Sequence, residues 1–371
     1  MAASVAALLT TPTLDPPLAY DMDEMVALNG TTWVNSVYPP GDTQPTENAR
    51  RKSLAAWNME RCNNTQYSMI EKMSLFWQNH FAVNFQFDSR VTYNYQNLLY
   101  TQAFGNFKQL VKDITVDPAM LLFLNGATNT RFSPNENFSR ELLELYSIGK
   151  GPQIGPGDYT NYTESDIAEG AKILTGWTIE GLRSNTETSP FATFVPNNHD
   201  TTTKQLSAAF NNATIADGGD TEYDNYIDVI FQQDECAYFI CRKLYRFFVN
   251  YDLTSDVETN VIPVMAQTML DNNYDVYPVI EELLSSEHFY DVSLRGCQIQ
   301  SPIEMMFSLF NPSQSGSNYD LDTDYRHNLN LYYYTANLGQ GYLDPPNVGG
   351  WPAYYQAPSY SELWLNSTYL K

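Results

Sequence analysis

Apolar residues recur at helical spacing over most of the chain. The pattern predicts helices over 46–60, 66–83, 92–116, 134–148, 163–176, 222–250, 256–271, 276–287, 301–310 and 324–338. Three helix starts carry explicit signals. Asp117-Pro118 sets a capping side chain before a proline at the first helical position, where a missing N–H costs nothing. Ser133-Pro134-Asn135-Glu136 and Thr163-Glu164-Ser165-Asp166 both have the form of a capping box, so Ser133 is expected to bond the Glu136 amide. The periodicity fails over 177–205, where Trp177, Ile179, Phe191, Phe194 and Val195 stand among Thr, Ser, Asn and Pro. That stretch predicts a short β-hairpin or a long loop, with strands confined mostly to 177–200. Polar, Gly-rich loops follow at 211–221 and 311–323, and little helix is expected from 339 onward. The expected fold is mainly α. It comprises one helical domain over 1–371, with an irregular lead at 1–45, a hairpin or loop insertion at 177–221 and an irregular Gly-, Pro- and aromatic-rich segment at 339–371.

Composition narrows the partners. The chain carries 43 acidic and 20 basic side chains, a formal net charge of −23. Such a surface repels phosphate backbones and anionic membranes, so nucleic acid is not an expected partner. No run of 18 apolar residues appears, so no transmembrane segment is expected. The start, Met1 to Leu9, is apolar without a basic flank and does not read as a signal peptide. The four cysteines, Cys62, Cys236, Cys241 and Cys297, are too few for a disulfide scaffold. Cys236 and Cys241 lie five apart in a helix, on different faces, and Cys241 reads as a buried thiol.

Several segments carry a resemblance. They are FWQNHF (76–81), DPAMLLFLNGATN (117–129), PNENFSRELLELYSIG (134–149), YTESDIAEGAKILTGWT (162–178), HD (199–200) followed by Lys204, RKLYRFFV (242–249), SPIEM (301–305) and PPNVGGWP (345–352). In this order they resemble the bacterial family known as domain of unknown function 1800. The resemblance implies export to the periplasm or the cell exterior, and a gene neighbour encoding an exported sulfatase-like protein as a partner. It implies no particular reaction. Two departures stand out: Gln78 occupies a position where the family commonly has a second histidine, and the family's arginine-rich N-terminal stretch is absent.

The helix after Pro134 is the richest in candidate chemistry. Asn137, Glu141 and Glu144 follow i, i+4, i+7 spacing and share one face of an α-helix. Two carboxylates one turn apart beside an apolar seam suit a divalent metal, or a split into an acid and a base. The plainer alternative is structural: Glu136 completes a capping box, and Arg140 stands four residues from both Glu136 and Glu144. His80 and the His199-Asp200 pair fall inside the family-like segments, with Lys204 nearby, and histidine is both the usual general base and a common metal ligand. Asp217-Gly-Gly-Asp220 with Glu222 and Asp224 could hold calcium, but without EF-hand spacing it reads more simply as a solvated acidic loop. Trp351, with Tyr354, Tyr355 and Trp364, could stack on a sugar or plug a core.

Two functions remain open from the residues. One is an exported hydrolase-like enzyme with catalytic Glu141, Glu144, His199, Asp200 and His80, and with Asn137, Arg140, Lys204 and Trp351 binding. Its cofactor is left open, with a divalent metal as one candidate. The other is a non-catalytic surface or assembly protein that contacts glycans, its polar motifs being internal ion pairs and caps. In either case the PNENFSREL helix, the end of FWQNHF and the HD loop are expected to meet, with His199 and Glu141 on the order of 10 Å apart.

Overall fold

A computed structural model describes residues 2–64, 68–309, 320–352 and 363–364. Most of the 311–323 loop, together with Tyr354 and Tyr355, lies outside the described residues. The described chain is mainly helical with two small two-stranded sheets. It forms two compact units. The first comprises Met1–Ala103, Gly181–Pro190 and Arg295–Lys371; the second comprises Phe104–Glu180 and Phe191–Leu294.

In the first unit the Leu321–Asn337 helix packs along the Gln44–Asn64 helix. Charges buried in this unit are paired, as desolvation demands. Arg50 meets Glu24 at 2.7 Å and lies 4.3 Å over the Tyr38 ring. Arg90 meets Asp88 at 2.6 Å and donates to the carbonyls of Glu187 and Gly181 at 2.7 and 2.9 Å. Those bonds explain why residues 181–190 belong to this unit although both flanking strands belong to the other.

The FWQNHF segment ends the Ile70–His80 helix. Asn79 accepts a hydrogen bond from the Trp351 amide at 2.7 Å. Gly350 has φ +80°, and a Cβ there would collide with the Asn79 carbonyl. The GGW segment is thus shaped to seat against Asn79. Trp351 is buried in the core, which leaves no face for stacking on a sugar.

The second unit holds the helices from Phe107–Thr115 to Val276–Ser285 and both sheets, whereas Ala2–Leu8, Ser89–Thr101 and Pro302–Leu309 belong to the first. Expected long helices break where the chain turns sharply. The 92–116 stretch splits into Ser89–Thr101 and Phe107–Thr115, the latter capped by Asn106. The 222–250 stretch splits into Glu222–Ile230 and Glu235–Phe248, because Gln232 and Gln233 bond back three residues to Val229 and Ile230. Asp117 caps Pro118–Phe123, and Thr163 with Asp166 forms the expected box on Glu164–Ile173.

Ser133 does not cap. The helix starts at Glu136, and Asn135 accepts from the Asn137 amide, while the Asn135 amide is itself held by the Asn129 side chain. This deeper anchor sets the start two residues later than the sequence motif suggests. Strand β1 (Trp177–Glu180) pairs antiparallel with β2 (Phe191–Phe194), the expected hairpin. A second pair, β3 (Lys204–Gln205) with β4 (Thr214–Ile215), extends beyond 200. Cys236 and Cys241 are buried and unbridged.

Candidate functional site

The TGW and HD segments build one cluster in the second unit. Gly176 takes φ +99°, and a Cβ there would press on Phe194 and His199. That bend sets the Thr175 carbonyl 2.9 Å from His199 Nδ1. A carbonyl only accepts, so Nδ1 carries a proton and Nε2 is turned the other way. Thr175 Oγ1 also accepts from the Asp200 amide at 2.8 Å, and Phe194 lies edge-on to the imidazole.

His199 Nε2 faces two carboxylates: Glu222 Oε2 at 3.0 Å and Asp217 Oδ1 at 3.7 Å. The Gly218 amide donates to Glu222 Oε2, and the Gly219 amide donates to Asp217 Oδ1, so the loop backbone aims both acids. The second Glu222 oxygen meets Lys204 Nζ at 2.5 Å, and Lys204 also donates to the Asp200 carbonyl. His199, Lys204 and Glu222 are buried, whereas the Asp217 side chain is 42% exposed. Asp217 is thus the one part-exposed member of a buried cluster.

The electrostatics follow from these contacts. Burial alone would lower the His199 pKa, but the Glu222 hydrogen bond, the Thr175 carbonyl and the Glu222 charge together hold it above its usual value. Burial likewise works to raise the Asp200 pKa, and is outweighed by the Thr202 bonds and the Lys204 and Lys172 charges, which hold it low.

One ligating atom each from His199, Asp217 and Glu222 lies within 4.8 Å of the others. Donors around a zinc-sized ion stand about 3–3.5 Å apart, given bonds of about 2.1 Å. The separations of His199 Nε2 from Glu222 and Asp217, 3.0 and 3.7 Å, lie near this range. Asp220 and Asp224 are not part of the cluster. Asp220 is exposed, and Asp224 pairs with Lys112 at 2.9 Å, so the calcium grouping read from the loop does not form. Asp217 and Glu222 instead join a histidine 18 and 23 residues upstream, through a fold that loop composition does not signal.

Glu141 and Glu144 form a second polar group in the same unit. The α-helix ends at Glu141 and passes into a π-helix over Leu142–Ser147, with Ser147 Oγ bonding the Leu142 carbonyl. The wider turn alters the angular spacing after Leu142, so the single face expected for Asn137, Glu141 and Glu144 does not continue as drawn for an α-helix. Glu144 is paired with Lys150 at 2.7 Å and accepts from the Tyr162 hydroxyl. Glu141 is half-buried, and its carboxyl is pushed up to about 7, first by burial and then by the neighbouring Glu144 charge.

Arg140 does not reach Glu144. It makes a two-pronged pair with Glu164 at 2.7 and 2.8 Å and a longer one with Glu136. Asn137 is exposed. His80 belongs to the first unit, packed against Phe76, Trp77 and Phe81. Gln78 is buried and donates to the Val83 carbonyl, a structural role.

The chain belongs to the family described as "Protein of unknown function (DUF1800)", whose family model matches residues 1–370. No curated protein and no solved structure matched it. No helix among the described residues is long and apolar enough to cross a membrane.

Proposed function

We propose that this member of the DUF1800 family is an exported, metal-assisted hydrolase whose centre is His199, Asp217 and Glu222. The observation that carries the reading is the convergence of one imidazole nitrogen and two carboxylates, one of them on the part-exposed Asp217. Three protein donors leave a position for water, the pattern of a catalytic rather than a structural ion. A mixed nitrogen and oxygen set suits zinc, manganese or iron. A divalent cation held there would supply Lewis acidity and activate water.

The chain's own groups have defined parts. The Thr175 carbonyl fixes the His199 tautomer with Nε2 inward. Lys204 holds Glu222 through its other oxygen and offsets part of the acidic charge. Export, an exported sulfatase-like partner and contact with glycans complete this proposal. They rest on the family resemblance and on the chain's wealth of aromatic residues.

A specific observation favours a second reading. His199, Lys204 and Glu222 already satisfy one another in a nearly closed interior, as a purely structural ion cluster would. Metal content decides between the two. Purified wild type is expected to take up one equivalent of zinc or manganese, measured by mass spectrometry of the metal, and to melt higher with it. At a hundredfold excess over Kd the gain is about 2.7 kcal/mol. Asp217→Asn should lose both effects yet melt close to wild type in EDTA, because its part-exposed side chain is replaced by one of the same shape. A wild type that takes up no stoichiometric metal refutes the enzyme reading in favour of the structural one.

A further inference from the structure

We infer that a cleft of about 520 Å³ in the first unit binds a neutral, hydroxyl-rich saccharide of one or two rings. From the proposed function it takes only the glycan as partner class, and it uses none of the metal-centre residues. The volume lies within the range of small-molecule sites.

One wall is aromatic. Phe85 and Tyr332 meet edge-on at 6.2 Å, Tyr332 and Tyr333 at 5.6 Å, and Tyr333 is 47% exposed. An exposed phenol ring offers the flat apolar face on which the C–H side of a sugar ring settles, while its hydroxyl stays wet.

The polar lining has a definite sign pattern. Asn48 and Asn84 both use their amide oxygens within the protein, accepting from Gln44 and Gln86 at 2.8 and 2.9 Å. Their NH2 groups make no bond among the described contacts and remain as oriented donors. The carboxylates of Asp23 and Asp344 line the same cleft as acceptors. Two bases complete the lining: Arg51 donates through one nitrogen to the Gln86 carbonyl at 2.9 Å and lies 3.5 Å from Glu47, and Lys52 pairs with Asp21 at 2.9 Å.

The lining thus carries two carboxylates, Asp23 and Asp344, against two bases, Arg51 and Lys52, and has no net charge to select an anion or a cation. A hydroxyl group, donor and acceptor at once, matches amide donors beside carboxylate acceptors. The backbone holds the two sides together. Leu343, at φ +61° in the left-handed region that non-glycine residues rarely adopt, offers its carbonyl to the Phe85 amide at 3.1 Å. That strained residue fixes Asp344 beside the aromatic wall.

The test is titration calorimetry with saturation-transfer NMR on the full chain in EDTA. The probes are the methyl glycosides of glucose, galactose and mannose, N-acetylglucosamine, cellobiose and maltose, with glucuronate and glucosamine as charged controls. At least one neutral sugar is expected to bind saturably, more tightly than either charged control. Tyr333→Ala and Asn84→Ala, both at exposed positions, should each weaken that binding about tenfold. The inference is overturned if no neutral sugar binds saturably, if a charged control binds more tightly, or if both variants bind as wild type does. Because EDTA is present throughout, failure of the metal reading would leave this result unchanged.

Discussion

Replacing Glu141 by Gln should stabilise the protein at alkaline pH. Glu141 closes the α-helix at the entry to the π turn, half-buried and close enough to Glu144 to feel its charge. Burial first, and Glu144 second, lift its carboxyl from 4.5 to about 7, against weaker opposition from Arg140 and Lys150. The folded chain therefore holds this proton more tightly than the unfolded one. The contribution to stability is complete below about pH 4.5 and is lost as the pH rises through about 7. Per pH unit the linkage is about 1.36 kcal/mol, which sets a ceiling of about 3.4 kcal/mol. Partial exposure and solvent screening reduce this to about 1–2 kcal/mol. Glutamine keeps the shape and never ionises. Denaturant unfolding followed by circular dichroism should thus show Glu141→Gln more stable than wild type by about 1–2 kcal/mol near pH 8. Near pH 4.5 the difference should shrink to within about 0.5 kcal/mol. A difference that does not change with pH, or a variant less stable near pH 8, would refute the reasoning.

Two further substitutions test local geometry. Asn135→Ala should cost about 1 kcal/mol by removing the cap on the Asn137 amide, whereas Ser133→Ala should leave the melting curve within about 0.3 kcal/mol of wild type; the reverse ranking would restore the serine cap. Gly350→Ala combines a φ of +80° with a collision against Asn79 and should destabilise by more than about 2 kcal/mol, seen as a clearly lowered melting temperature; a wild-type melting temperature would show that the Asn79 seat is not tight.

The chain itself determined whatever depends on partners a few residues apart. Helical spacing marked the mainly α class, Asp117 and Thr163 marked their helix starts, and the broken periodicity after Gly176 marked the hairpin. Ser133 against Asn135 shows the limit of local signals, because the winner was chosen by Asn129, six residues before the cap. The π turn after Glu141 is equally invisible in spacing, since residues that suit an α-helix also suit one wider turn. The family-like motifs pointed to His199, Asp200 and Lys204, but only the fold joined them to Glu222 and Asp217. The reason is electrostatic. A buried charge must find its counter-charge wherever the folded chain presents one, and that partner is fixed by which elements pack together. Periodicity can say that a carboxylate is awkward to bury. Only the tertiary structure says that Glu222 answers both a histidine and a lysine, that Arg140 turns to Glu164, and that Arg90 claims the loop inside the hairpin for the first unit.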